Sequence, residues 1–329
     1  MSVWKLDQWK QACRLCLVVG IWLGGTAGLQ AQLVPGTGTK VTDIGDDFEE
    51  ESWEFTHNFP KSSRNIDKRE RRPTGYSSNG RWLESAKRGQ PDIIKRVSTP
   101  ADGLNGSLGA LLLQSKDTGI PGRASRESQQ DDFLLRGMHV PVSWSPSIVV
   151  RVFVPPFEEW EDSTDTSFGL RASLTGPGPV REDAKKPKRR RGLFGFIKNS
   201  RRPKTKVDVF YPGMFIQFNS KTDGQNEEDS AYFIIRGTDS GYDYAGPALT
   251  KTGWWTLGMS FTRDGRVHYY ASPGVDNLTS ADRIASYFCQ GFRAQNFNSF
   301  FFNVVSKNNG HSWSTKWIID DPSLYYITR

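Results

Sequence analysis

Acidic side chains are the first residues to consider for catalysis, because sugar hydrolysis uses two carboxyl groups on either side of the scissile bond. One run of acids follows Pro155-Pro156 and comprises Glu158, Glu159, Glu161 and Asp162. Retaining enzymes need the two groups about 5–5.5 Å apart, and no pair of that kind can be recognised in the sequence. We interpret the run as a solvated loop and predict no catalytic residue.

Two other acidic stretches could bind calcium, which takes six to eight oxygen ligands from carboxylates and carbonyls. One contains Asp223, Asn226, Glu227, Glu228 and Asp229, and the other contains Asp239 and Asp243. Neither has the spacing of an EF-hand, so solvated turns are the favoured interpretation. The sequence predicts no cofactor and no metal site, with calcium as an alternative.

Histidine and cysteine give no catalytic or zinc pattern. The four histidines are scattered and match no zinc-ligand spacing: His57, His139, His268 and His311. Beyond residue 31 the sequence contains one cysteine, Cys289, which has no evident base partner and cannot form an internal disulfide.

Aromatic residues form a more specific candidate for a ligand-binding site. Residues 254–273 predict two strands joined at Asp264-Gly265, a pair favoured in two-residue type I′ turns. Such a turn pairs Thr262 with Val267 and Phe261 with His268. Paired residues share a face, so one face is bulky and interior, and the other carries Trp254 and Tyr269 among small residues.

The second hairpin face could therefore present aromatic rings to a sugar. The candidate ligand-binding residues are Trp254, Tyr269, Tyr242 and Tyr244. The alternative is that a loop or the opposing sheet covers these rings.

A basic segment is the second candidate for ligand contact. Residues 181–206 hold twelve of the 43 Lys and Arg residues but only two acids, so this segment is strongly basic and the body of the chain is mildly acidic. Its candidate contacts are Lys188, Arg189, Arg190, Arg191, Arg201 and Arg202. Such a segment can contact an anionic polymer or membrane surface, and the alternative is a flexible, solvated insertion. Nucleic acid is disfavoured as a partner because no recognition motif is present.

The elements that would position these residues are short strands. Apolar, β-branched runs at 109–115, 147–154, 214–219, 231–236 and 299–305 predict strands, and the last is apolar on both faces, as in a central strand. Residues 280–288 predict the one short helix, with Ser280 as its cap. About ten strands separated by turns favour an all-β, antiparallel two-sheet sandwich.

The first 31 residues predict an export signal, with an early positive charge, a short apolar run at 15–23 and small residues before Ala31. We expect a loosely held lead-in at 32–45 and one domain at 46–329 with a basic insertion at 177–206. We predict that the protein is exported to the periplasm, the cell surface or the exterior. After removal of the signal, we expect no segment that spans a membrane.

Three stretches resemble the concanavalin A-like, or laminin G-like, jelly-roll superfamily: DDFEEESWEF, GWWTLGMSFTRDGRVHYYASPG and WIIDDPSLYYI. They look like the first strand, the central hairpin and the last strand of that fold. The resemblance implies a jelly roll in which the first and last strands lie side by side. The superfamily contains lectins, carbohydrate-binding modules, glycosidases, lyases and adhesion domains, so the resemblance does not specify an activity.

These observations favour an exported, non-catalytic domain that binds carbohydrate or another cell-envelope component. A polysaccharide-active enzyme on the same fold, either a glycosidase or a lyase, is the alternative. A structural or adhesive surface protein is the third interpretation.

Overall fold

The computed structural model describes residues 33–62, 72–116, 129–177, 207–237, 242–288, 293–307, 309 and 311–327. The predicted export signal, the six cationic candidates at 188–202, Asp239 and Cys289 lie outside these residues. In the described part, no helix is long and apolar enough to cross a membrane.

Within the described ranges the chain forms nineteen strands and four short 3-10 turns. The strands are β1 (Thr39–Gly45), β2 (Phe55–Thr56), β3 (Tyr76–Ser77), β4 (Trp82–Glu84), β5 (Ile93–Ser98), β6 (Gly109–Gln114), β7 (Gln129–Leu135), β8 (Val140–Pro141), β9 (Ser147–Val154), β10 (Ser167–Pro177), β11 (Val207–Phe210), β12 (Gly213–Asn219), β13 (Ser230–Arg236), β14 (Asp243–Ala248), β15 (Gly253–Phe261), β16 (Arg266–Pro273), β17 (Arg283–Phe288), β18 (Asn296–Ser306) and β19 (Trp317–Tyr326). The 3-10 turns are Val142–Trp144, Phe157–Glu159, Lys221–Asp223 and Ser280–Asp282.

The strands make two antiparallel sheets. Sheet A has the order β17-β16-β15-β9-β19-β6-β5, with β1 also beside β19. Sheet B has the order β14-β13-β12-β10-β18-β7-β4-β3-β2, with β11 beside β10 and β8 beside β18. The prediction of an all-β, two-sheet antiparallel sandwich is confirmed. The strand beside the last one is β1 (Thr39–Gly45). The stretch DDFEEESWEF, which resembles the first strand, instead contributes only Phe55 of β2, at the edge of sheet B.

The core lies between the sheets because alternate residues of the central strands are apolar. In sheet A, Val150 and Val152 of β9 point inward, and in sheet B, Phe168 of β10 and Phe302 of β18 do so. We call the opposite side of each sheet its outer face. The predicted central strand at 299–305 is β18, which pairs with both β10 and β7.

The hairpin of β15 and β16 differs from the prediction by one residue. Phe261 pairs with Val267 and Met259 pairs with Tyr269, so the turn has three loop residues instead of two. The Thr262 N–H donates to Arg266 O, the Gly265 N–H donates to Thr262 O, and Gly265 has φ +93°. A turn ending in a left-handed glycine is the usual form of a three-residue hairpin loop.

Two further predictions are wrong. The proposed helix at 280–288 is a 3-10 turn over Ser280–Asp282 followed by strand β17, where Thr279 and Asp282 form a capping box. Strand β17 forms because the exposed edge of β16 offers backbone partners that outweigh a weak local helix preference. The lead-in at 32–45 is also not loose, because half of it is β1, which pairs with β19, and Leu33 is buried.

Candidate functional site

Trp254 and Tyr269 lie on opposite faces of sheet A, so the predicted aromatic sugar platform is wrong in geometry. The one-residue register change turns Tyr269 into the core, where its hydroxyl donates to Arg236 O at 2.6 Å. Trp254 lies on the outer face, and its Nε1 donates to Ala101 O at 3.0 Å. Both side chains are buried, in agreement with the alternative that a loop or the opposing sheet covers these rings.

The other two aromatic candidates do not join them. Tyr242 is exposed, whereas Tyr244 packs edge-on against Tyr287 with ring centroids 4.8 Å apart. This contact connects β14 of sheet B to β17 of sheet A, so Tyr244 helps to close one side of the sandwich.

His268 lies on the outer face of sheet A, where it pairs with Ser260. The predicted register placed it on the interior face with Phe261. It is buried, and its Nε2 lies 3.2 Å from Thr262 Oγ1. Burial lowers its pKa to about 4, so the ring is neutral at physiological pH.

The acidic loops are held by internal hydrogen bonds. Asp223 accepts from the Thr164 N–H at 2.6 Å, and Asp229 accepts from the Lys221 N–H at 2.9 Å. Asp162 accepts from the hydroxyls of Ser220 and Thr222, which lower the pKa of its carboxyl. Among the described residues, no group of three or more potential ligands is arranged to hold a metal ion.

The outer face of sheet B carries a different constellation, which runs across the strands in two rows. In the first, here called the Arg171 row, successive cross-strand partners are Asp243, Arg236, Gly213, Arg171, Phe301, Leu134 and Leu83. In the second, the Asn303 row, they are Phe215, Gly169, Asn303 and Asp132. Long-range strand pairing thus brings together cations, aromatic rings and an amide from four strands.

Arg171 is the central residue of its row, and 8% of its surface is exposed. Its guanidinium lies 5.6 Å from the Tyr211 ring centre, 5.8 Å from that of Phe215 and 5.3 Å from that of Phe301. Its Nη2 donates to Tyr211 O at 3.0 Å, while Nε has no partner among the described residues. Burial, together with the nearby Arg236 charge, lowers its pKa to about 10, so it stays cationic at neutral pH.

Two glycines make room for this arrangement. A Cβ on Gly169 would approach the Phe215 ring at 2.5 Å, and one on Gly213 would meet Arg171 Cγ at 2.7 Å. Because both positions lack a side chain, Phe215 and Arg171 lie flat across the neighbouring strands.

Asn303 and Asp132 form the polar part of the second row. Asn303 Nδ2 donates to Asp132 Oδ1 at 2.6 Å, and Gln130 Nε2 donates to the same oxygen at 2.7 Å. Burial raises the pKa of Asp132. Asn303 Oδ1 is buried without a partner among the described residues, so this row offers an acceptor as well as an anion.

One turn covers part of the two rows. The turn from Ser85 to Gly89 is closed by reciprocal backbone hydrogen bonds of 3.2 and 2.9 Å. From this turn, Lys87 Nζ reaches over the ring of Tyr211 at 5.9 Å from its centre. An exposed cation–π contact stabilises by about 0.5–1 kcal/mol, so the Lys87 side chain can leave the Tyr211 ring at little cost.

The carboxylates of the two rows are not arranged for glycoside hydrolysis. Asp132 and Asp243 are five strands apart, which corresponds to roughly 24 Å at the usual strand spacing. Asp243 is also paired with Arg236 at 2.6 Å. The two rows therefore provide cation and hydrogen-bonding chemistry without a hydrolytic pair of their own.

The sequence analysis did not identify this surface, although Arg171 and Asn303 can each be recognised as unusual in the local sequence. Arg171 interrupts FGLRASL, and Asn303 interrupts SFFFNVV, each within an otherwise apolar central strand. A polar residue in such a strand must face a partner or a ligand. That they lie beside each other depends on the pairing of β10 with β18, which the local pattern does not contain.

No protein-family model matches the sequence, and no curated protein does. Solved structures do match. They include the conserved carbohydrate esterase from Shiga toxin-encoding bacteriophage phi24B, with a TM-score of 0.42 and 10% identity over 88% of this chain and 100% of that one.

Two further matches are endo-beta-1,4-glucuronan lyase from the fungus Trichoderma reesei and the Ca2+/Man3GlcNAc-bound exoplasmic/lumenal domain of VIP36. The lyase has a TM-score of 0.34 and 12% identity over 72% of this chain and 87% of its own. The VIP36 domain has a TM-score of 0.32 and 11% identity over 66% and 84%. These values are too low to carry an argument about ligand or activity.

Proposed function

We propose that the protein binds a polysaccharide bearing carboxylate groups, on the outer face of sheet B. The observation that carries the proposal is the guanidinium of Arg171, which is buried, framed by three aromatic rings and without an ion-pair partner among the described residues. A buried charge that forms no ion pair is costly to keep, since Asp132 and Asp243 act on Arg171 only from a distance, and an anionic ligand would compensate for it.

The surrounding groups suit such a ligand. Arg236 lies at the same surface with its guanidinium 5.0 Å from the Phe215 ring centre, and Lys87 and Arg88 border the two rows. Guanidinium groups bind carboxylates through paired hydrogen bonds, and aromatic rings offer an apolar face to a sugar. Asn303 Oδ1 would accept a hydrogen bond from a sugar hydroxyl.

Binding without catalysis is the favoured form of this proposal, because the two rows lack a closely spaced carboxyl pair. A lyase would need a base instead of a carboxyl pair, and Asp132, whose pKa is raised by burial, is the residue to test for that role. Release of unsaturated products from a polyuronate by the intact protein, lost in Asp132→Asn, would favour the enzyme.

Export to the periplasm, cell surface or exterior is part of the proposal and depends on the predicted signal at 1–31. The cationic candidates at 188–202 are a separate proposal for contact with anionic polymer or lipid. Strands β10 and β11 pair at Pro177 and Val207, so this segment begins and ends at sheet B.

The proposal is tested with Arg171→Gln. We expect it to weaken binding of polygalacturonate by about 10- to 100-fold, because one charge-assisted hydrogen-bonding group contributes about 1.5–3 kcal/mol. Isothermal titration calorimetry with polygalacturonate, a sulfated glycan and a neutral glycan would measure both affinity and selectivity.

Arg266→Gln is the matched control, since it removes the same charge from sheet A, where Arg266 stacks on Phe288 at 4.0 Å. Unchanged binding in the control with weaker binding in Arg171→Gln supports the proposal. Equal affinity of the wild type and Arg171→Gln for polygalacturonate, or no binding by either, would contradict it.

A further inference from the structure

A second cationic groove lies at the end of β4 and β7, where β1 of sheet A approaches sheet B. Its cavity of about 380 Å³ is lined by Asp43, Ile44, Asn79, Gly80, Arg81, Leu135, Arg136 and Gly137. It belongs to neither of the two rows described above.

Backbone hydrogen bonds hold its two arginines in place. Arg81 Nη1 donates to Gly45 O at 3.0 Å, and Arg136 Nε donates to Gly80 O at 2.8 Å. The Arg136 N–H also donates to Arg81 O at 2.7 Å, so the two backbones are adjacent. Neither guanidinium forms an ion pair with a described residue, and each keeps further N–H groups that an anion could use.

The groove lies close to the Arg171 row on the same sheet. Arg171 pairs with Phe301 and Phe301 pairs with Leu134, two residues before Arg136. Two strand spacings and two residues along a strand separate Arg171 from Arg136, or roughly 12 Å between Cα atoms. Ser299, on the same outer face of β18, lies between them, and its hydroxyl donates to Leu135 O at 2.7 Å.

We propose that the groove formed by Arg81 and Arg136 is a second carboxylate subsite, and that one anionic glycan chain extends from Arg171 past Ser299 into it. This inference rests on the proposed function of the Arg171 row. It makes the site longer than one sugar, so that long oligomers gain affinity that short ones lack. Asp43 opposes the ligand charge from within the groove.

Arg81→Gln combined with Arg136→Gln tests the subsite, using digalacturonate and a long oligogalacturonate as probes. We expect binding of the long oligomer to weaken by about tenfold, while binding of digalacturonate at Arg171 stays unchanged. If the double variant binds the long oligomer as tightly as the wild type does, or weakens both probes equally, the second subsite is wrong.

Asp43→Asn provides a variant that removes no described hydrogen bond. It should strengthen binding of the long oligomer alone, since it removes the one negative charge of the groove, and no change would count against the subsite. Arg171→Gln separates the two proposals: if it leaves both probes unaffected, the function proposed for the Arg171 row fails, whatever the groove variants do.

Discussion

Two buried cations in this protein differ in how their charge is compensated. Lys61 Nζ lies 2.7 Å from Asp131 and 2.9 Å from Asp92, and these carboxylates raise its pKa. Arg171 is about as buried but is surrounded by aromatic rings. Lys61 therefore has a complete structural role within the fold, whereas Arg171 forms no ion pair with a described residue, and the proposal of an anionic ligand rests on that difference.

Asp320 gives a pH-dependent prediction at the residue scale. It is buried, it accepts a hydrogen bond from Ser107 Oγ at 2.9 Å, and burial raises its pKa to about 6. The folded protein therefore binds a proton more tightly than the unfolded chain, so this group favours folding at low pH and loses that effect as pH rises through 6.

We expect Asp320→Asn to raise the free energy of unfolding at neutral pH by about 1–3 kcal/mol and to flatten its pH dependence between about 4 and 6. Urea denaturation over that range measures both effects. Asp276→Asn, at an exposed carboxylate, is the control. A variant less stable than the wild type at neutral pH would contradict the argument.

At the scale of elements, the β15–β16 hairpin depends on Gly265. Its φ of +93° is unfavourable for residues with a Cβ, and that atom would also lie 3.2 Å from Arg293 Cγ. We expect Gly265→Ala to lower the free energy of unfolding by about 1–2 kcal/mol. Gly265→Asn should cost less because asparagine tolerates this conformation.

Thermal or chemical unfolding of the two variants measures the difference. Equal stability of the alanine variant and the wild type would show that the turn is not constrained as the structure indicates.

The sequence predicted strands well where the local pattern determines them. Ser147–Val154 was predicted with the bounds that β9 has, because its β-branched residues end at Pro155. The predicted hairpin register was wrong because Asp-Gly suits both two- and three-residue loops. Asp264 accepts from the Thr262 hydroxyl and the Arg266 N–H, and this favours the longer loop.

The candidate site could not be predicted in the same way. Asp132 and Asn303 become neighbours through pairing of β7 with β18, which are separated by about half of the chain. Local periodicity identifies which residues share a face of one strand but not which strands lie side by side. The error of one residue at the hairpin also moved Tyr269 from a surface candidate into the core.

For the whole molecule, the two outer faces differ in what covers them. On sheet A, Leu33 O accepts from Ser260 Oγ at 2.7 Å and Tyr270 Oη at 3.4 Å. Gly258 lacks a Cβ, which would otherwise meet Pro35 and Leu278 at 2.7 and 2.5 Å. The chain's own segments thus occupy this face, whereas the outer face of sheet B carries the arginines.

Removing the segment before Thr39 should therefore destabilise the protein. A chain beginning at Thr39 should unfold with a free energy about 3 kcal/mol lower than one beginning at Leu33, because the buried Leu33 and Pro35 contacts are lost. Urea denaturation of the two chains measures this. Equal stability would restore the interpretation of a loosely held lead-in.

The anchoring of Leu33 on sheet A also determines how the protein can be presented to a ligand. Leu33 and Arg171 lie on opposite sides of the sandwich, so a linker attached just ahead of Leu33 would hold the molecule with its arginines directed away from the support. A biosensor surface should therefore carry the protein by that end, because attachment through side chains near Arg236 would obstruct the proposed glycan site.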